Sequence, residues 1–112
     1  MFIRTKDRIY ETRENGETYN GFGCKFNNGT IKIHKKDILK QSNNLAELCD
    51  EFVIDDKRNN VHYLMNYDDV IDEINNGRIY DEDVIYGAIW TDKGLIYVAK
   101  MNKKGELELI CW

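Results

Sequence analysis

The sequence predicts an α+β domain, with antiparallel β-sheet meanders at both ends and two short helices packed on one face. Three observations lead there. Asn-Gly turns punctuate short runs of alternating apolar residues. Two stretches in the middle carry a helical period instead. Proline is absent from all 112 residues, and no Ser/Gly-rich linker interrupts them, so residues 1–112 read as a single domain.

In chain order, Phe2-Ile3-Arg4 and Ile9-Tyr10-Glu11 read as strands around the polar turn Thr5-Lys6-Asp7-Arg8. Glu14-Asn15-Gly16-Glu17 offers a type I′ hairpin, since Asn and Gly accept the positive φ it needs. Thr18–Phe26 follows as a strand, and Gly21 and Gly23 inside it mark a bulge or a close backbone approach. Asn27-Asn28-Gly29-Thr30 is a second hairpin signal leading into Thr30–His34. Ile38 and Leu39 suit a short helical turn.

The first helix is expected from Asn44, a capping residue with Glu47 three positions on. Leu45, Leu48, Cys49 and Phe52 then fall on one helical face. Asp55 to Asn60 reads as a polar loop and Val61–Met65 as a strand. Asn66 caps the second helix, Tyr67–Asn75, with Val70, Ile71 and Ile74 turned inward, and Gly77 closes it. The terminal meander comprises Val84–Thr91, Leu95–Met101 and Glu106–Trp112. In its middle strand Leu95, Tyr97, Ala99 and Met101 alternate with Ile96 and Val98. Both faces are apolar, which implies either cover on both sides or one face used in assembly. Trp90 and Trp112 are expected in or at the edge of the core. Ile3–Tyr10 and Ile89–Tyr97 echo each other, which shared hairpin chemistry explains.

With 42% hydrophobic and 12% aromatic residues, the chain can bury a modest core without staples. Cys24, Cys49 and Cys111 are odd in number and far apart, and read as reduced structural thiols, which favours the cytoplasm. No apolar run approaches a membrane span, and no signal-peptide core is present. The net charge of −4 is uneven. Residues 1–40 hold nine Lys/Arg against five Asp/Glu, residues 41–91 hold three against twelve, and residues 92–112 hold four against three.

The acidic middle supplies the candidate site: Asp68, Asp69, Asp72 and Glu73 on the second helix, then Asp81, Glu82 and Asp83. Asp68/Asp72 and Asp69/Glu73 are i, i+4 pairs that repel by a few tenths of a kcal/mol each. Such a face suits a basic protein partner. No calcium-loop spacing, zinc-site spacing or phosphate-loop context is present, so no metal and no cofactor is expected. The basic front, Arg4, Lys6, Arg8, Arg13, Lys25, Lys32, Lys35, Lys36 and Lys40, is interleaved with aromatics, but its excess is small for direct nucleic-acid binding. His34, His62 and Ser42 stand without neighbours that would make a nucleophile–base pair.

The run from Ile85 to Asn102, IYGAIWTDKGLIYVAKMN, resembles the C-terminal part of small uncharacterised proteins encoded by phages and prophages of Gram-positive bacteria. Ile3-Arg4-Thr5-Lys6-Asp7 and Leu48-Cys49-Asp50-Glu51-Phe52 are similar to their N-terminal and helical signatures. About half the chain is covered, and no catalytic residue is carried over. The resemblance implies a phage accessory protein acting by stoichiometric binding, for example an anti-CRISPR or other anti-defence inhibitor.

The expected function is therefore a small, cytoplasmic, non-enzymatic protein that uses its acidic surface to inhibit a bacterial host protein, such as a nucleic-acid-binding defence effector. Two alternatives use the basic front: an oligomer that sequesters a small ligand such as a nucleotide, and a nucleic-acid-binding regulator.

Overall fold

The computed structural model describes residues 1–80 and 82–110. Among these residues, ten strands form two five-stranded antiparallel sheets, with one α-helix. The first sheet comprises β1 (Phe2–Arg4), β2 (Ile9–Thr18), β3 (Gly21–Phe26), β4 (Gly29–His34) and β5 (Lys40–Ser42), in the order β4-β3-β2-β1-β5. A 3-10 turn at Lys35–Asp37 joins β4 to β5. Another, Leu45–Leu48, leads into the second sheet. There β6 (Glu51–Asp56), β7 (Val61–Met65), β8 (Val84–Thr91), β9 (Gly94–Met101) and β10 (Leu107–Leu109) run in the order β10-β9-β8-β6-β7. Helix α1 (Tyr67–Asn75) carries the chain from β7 across β6 to β8.

The α+β expectation holds at that coarse level, but with one α-helix where two were expected. Asn44 does cap, its Oδ1 accepting from Ala46 N at 3.1 Å. The turn nevertheless ends at Leu48, and Cys49 is already extended. Phe52-Val53-Ile54 decides the matter, because bulky and β-branched side chains suit a strand buried on both faces. All three are buried, and β6 is laddered to β7 and β8. Asp55 and Asp56, expected in a loop, are the buried end of this strand.

Asn15-Gly16 makes no hairpin either. β2 runs through it, with Asn15 at φ 56° and a register irregularity between Thr12 and Glu17. Positive φ is used here for a bend within a strand, and the chain reverses at Tyr19-Asn20. A Cβ on Gly16 would stand 2.6 Å from Gly23 O, so the close approach expected of the glycines is present. Bent at this point, the sheet encloses Ile3, Phe22, Cys24 and Ile33, with Ile31, Ile38 and Tyr10 against them.

The two hairpins that echo each other in sequence share one device. Thr5 Oγ1 donates to Arg8 O at 3.2 Å, and Thr91 Oγ1 to Gly94 O at 3.0 Å.

A second core, Phe52, Ile54, Val70 and Ile85, lies between α1 and one face of the second sheet. A third joins the two sheets: Ile9 from β2, Leu45 and Leu48 from the 3-10 turn, Ile89 from β8, and Val98 and Ala99 from β9. Over this joint sits a polar clasp. Arg4 Nη1 donates to Asp50 Oδ1 at 2.7 Å and to Leu48 O at 3.2 Å, and Nη2 reaches Trp90 O at 3.4 Å. Asp50 Oδ2 accepts from Trp90 N at 2.8 Å, and Asp50 N donates to Ala88 O at 2.9 Å. Partial burial works to raise the Asp50 carboxyl. The Arg4 hydrogen bond, the Trp90 N–H and the Arg4 charge outweigh it and hold the group below its ordinary value.

Asp50→Asn leaves Arg4, only 12% exposed, without its counter-charge. It should lower the unfolding free energy by about 1–2 kcal/mol, allowing for the solvent at Asp50, and Tm by about 4–16 °C. A carboxyl lowered by folding stabilises above its unfolded pKa of about 3.9 and loses that contribution as pH falls through the folded value. Thermal melts should therefore show the gap between wild type and variant near full size at pH 7 and closing below about pH 4.

Candidate functional site

Helix α1 begins where Asn66 Oδ1 accepts from Asp69 N at 2.8 Å, and ends at Asn76 with Gly77 at φ 69°. Its boundaries match the sequence reading, but its inward stripe is narrower. Val70 is fully buried, Ile71 partly, and Ile74 is exposed.

The acidic block divides into free and held groups. Asp68, Asp69 and Asp72 are exposed, and none forms an ion pair among the described residues. Asp68 and Asp69 sit in the first turn, where the helix dipole favours them. Asp72 lacks that advantage. Glu73 is held by Arg78, whose Nε donates to Oε2 at 2.8 Å, and this bond lowers the carboxyl. Glu82 lies 3.4 Å from Arg58 Nε. Asp83 Oδ2 accepts from Tyr80 N at 3.0 Å and closes a local turn. Asp81 lies outside the described residues, as do Cys111 and Trp112 at the end of the expected last strand.

Arg58 organises the loops beside this block. Its guanidinium carbon is 3.4 Å from the Tyr80 ring centroid. Asp56 turns the β6–β7 connection, accepting from Arg58 N at 3.1 Å, from Asn59 N at 3.2 Å and from Asn59 Nδ2 at 2.8 Å. The Asn59 side-chain bond leads in holding its carboxyl down. These contacts spend Glu82 on structure.

The opposite face of the second sheet carries an exposed apolar surface, one of the two alternatives that the pattern of the middle terminal strand leaves open, though with other residues than expected. Cross-strand partners share a face, so Leu95–Trp90, Tyr97–Ala88–Glu51 and Lys100–Tyr86–Val53–Leu64 are successive rows on the side away from α1. Leu64, Trp90 and Tyr97 are 55%, 53% and 38% exposed, which corrects the placement of Trp90 in or at the edge of the core. The Tyr86 and Tyr97 rings stack at 4.7 Å. The expected grouping of Leu95, Tyr97, Ala99 and Met101 on one face fails because β9 is irregular. Gly87 pairs with Ala99 and Ala88 with Tyr97, leaving Val98 as an extra residue. Val98 and Ala99 both point into the core, and Leu95 and Tyr97 point out. Apolar residues on both sides of β9 were the available signal, but the bulge that sorts them has no signature in composition.

Five of the nine residues of the basic front are committed elsewhere. Arg4 belongs to the clasp, and Arg8 lies over Phe26 at 5.2 Å. Arg13 Nη2 donates to Gly29 O at 2.8 Å, Lys25 pairs with Glu11 at 3.1 Å, and Lys40 Nζ donates to Glu47 O at 3.0 Å. A cleft of about 430 Å³ opens beside the bend of β2, lined by Thr12, Arg13, Asn15, Gly16, Glu17 and Phe22. Cys24 is buried, and burial raises its thiol. Burial pushes Cys49 up to about 12, and its Sγ fills the space a Cβ on Gly87 would need. Both remain neutral thiols at pH 7. His34 is exposed, and His62 Nδ1 is 3.5 Å from Asp55 Oδ1. No group of acids, cysteines and histidines fit to hold a metal occurs among the described residues, and no helix among them is long and apolar enough to cross a membrane.

No family model, curated protein or solved structure matches this chain.

Removing the helix cap and removing a free acid should differ sharply. Asn66→Ala should cost about 1 kcal/mol, whereas Asp72→Asn, which relieves repulsion along α1, should move stability by less than about 0.5 kcal/mol. Urea unfolding of the two variants checks this.

Proposed function

We propose that this chain is a non-enzymatic binding protein that holds a basic surface of a bacterial host protein through the exposed side of α1. A phage-encoded anti-defence inhibitor, such as an anti-CRISPR, is the most concrete form of this reading. The observation that supports it is the division of the acidic block. Glu73, Glu82 and Asp83 each have a partner within the chain, while Asp68, Asp69 and Asp72 form no ion pair or side-chain hydrogen bond among the described residues, Asp72 adding only its charge to the field at Arg78. The helix tolerates the repulsion between Asp68 and Asp72, a few tenths of a kcal/mol, and only the two acids of its first turn gain from the helix dipole. A partner's lysines and arginines would neutralise them, raise the association rate and exclude partners of like charge. The nucleotide and nucleic-acid readings are weaker, since Arg4 and Arg8 are already engaged.

The test compares two charge reversals of equal size. Asp68→Lys/Asp69→Lys/Asp72→Lys should abolish capture of the partner from a bacterial host lysate, read by mass spectrometry, in a variant that still unfolds cooperatively at a Tm lowered only by the reversed charge at the helix N-terminus. Asp7→Lys/Glu14→Lys/Asp92→Lys, on exposed acids elsewhere, should retain it. Capture that survives the helix reversal, or is lost equally in both, overturns the reading.

A further inference from the structure

We propose that β7 is a self-complementary edge, and that two copies of this chain join there by antiparallel pairing of β7 with β7. A sheet edge presents unpaired N–H and C=O groups, and proteins that keep edges apart place lysine, short strands or bulges on them. Three of the four edges here follow that rule. β4 carries Lys32, β5 has three residues including Lys40, and β10 has three with Glu108 at its centre. β7 does not. Its five residues, Val61-His62-Tyr63-Leu64-Met65, include no Lys, Arg, Asp or Glu, and its ladder to β6 is regular throughout. Val61, His62, Tyr63 and Leu64 are all exposed.

The occupant follows from charge and symmetry. Each copy carries −4, so two copies repel at most approaches. A strand without charged residues meets its own image with no like-charge pair across the ladder. In a register centred on Tyr63, Leu64 of one copy stands across from His62 of the other on the face away from α1. On the α1 face Tyr63 meets Tyr63, and Val61 meets Met65. One of the rows, Tyr86–Val53–Leu64, already ends at Leu64. A second copy therefore continues that row across a ten-stranded sheet, and both α1 helices lie on its other face. The pairing stands independently of what α1 binds.

Sedimentation velocity of the full chain over a range of concentrations tests it. The expected result is a concentration-dependent species of twice the 13.2 kDa chain mass, strengthened by added salt because the copies repel. His62→Lys/Leu64→Lys should weaken it roughly tenfold or more, while Trp90→Lys leaves it intact. A chain that stays monomeric overturns the proposal. So does a dimer that survives the β7 substitutions, or one broken only by Trp90→Lys. Should the β7 variant fail to fold, hydrogen exchange of the wild-type amides decides. Protection of β7 that rises with concentration supports the pairing, and protection independent of concentration overturns it.

Discussion

The carboxylate of Asp50 is where the two sheets are registered against each other. It stands at the point where the 3-10 turn becomes β6, and takes Arg4 from β1 on one oxygen and the Trp90 amide from β8 on the other. Burying each of Ile9, Leu48, Ile89 and Val98 beneath it is worth about 1.5–3 kcal/mol, so apolar area, and not the ion pair, holds the sheets together. The ion pair selects how they meet. A hydrophobic joint slides at little cost, whereas a guanidinium that donates to Thr5 O, Leu48 O, Asp50 Oδ1 and Trp90 O tolerates few arrangements.

The clasp also reassigns charge. Arg4, 12% exposed, belongs to what reads in sequence as a basic front, and it serves the fold. The acidic block separates in the same way, since Arg58 and Arg78 pair with Glu82 and Glu73 at the surface as local staples. The surface charge that remains is narrower than the sequence total of −9 between residues 41 and 91 implies. It is concentrated on a helix whose other side is anchored by Val70. The second sheet thus presents two unlike faces, one acidic through α1 and one aromatic through Tyr86, Trp90 and Tyr97.

What the sequence disclosed follows the range of the physics involved. Features set by near neighbours were legible: the hairpins at Thr5–Arg8 and Asp92-Lys93, the cap at Asn66 and the left-handed Gly77. Features set by distant partners were not. Leu45, Leu48, Cys49 and Phe52 keep a helical period, yet β7 and β8 flank Phe52 and claim it for a strand. Asn15-Gly16 has the chemistry of a turn and is used for a bend, because β3 lies alongside it. The three free acids of α1 were among the residues singled out, but no local pattern distinguishes them from the acids held by Arg58 and Arg78. The outer aromatic face depends on a single unpaired residue, Val98.

The joint between the sheets has a consequence for how the chain reaches its fold. Each sheet has a core it can assemble from its own segment, but the core between them needs residues from both. Arg4 and Trp90 are 86 positions apart, so the clasp closes one of the longest loops in the molecule, and such closures come late and slowly. A chain that forms its sheets before docking them leaves Ile9, Leu48, Ile89 and Val98 in water until then. The interval between sheet formation and docking is when the chain is most prone to aggregate, and Arg4 ends that interval as well as fixing the geometry.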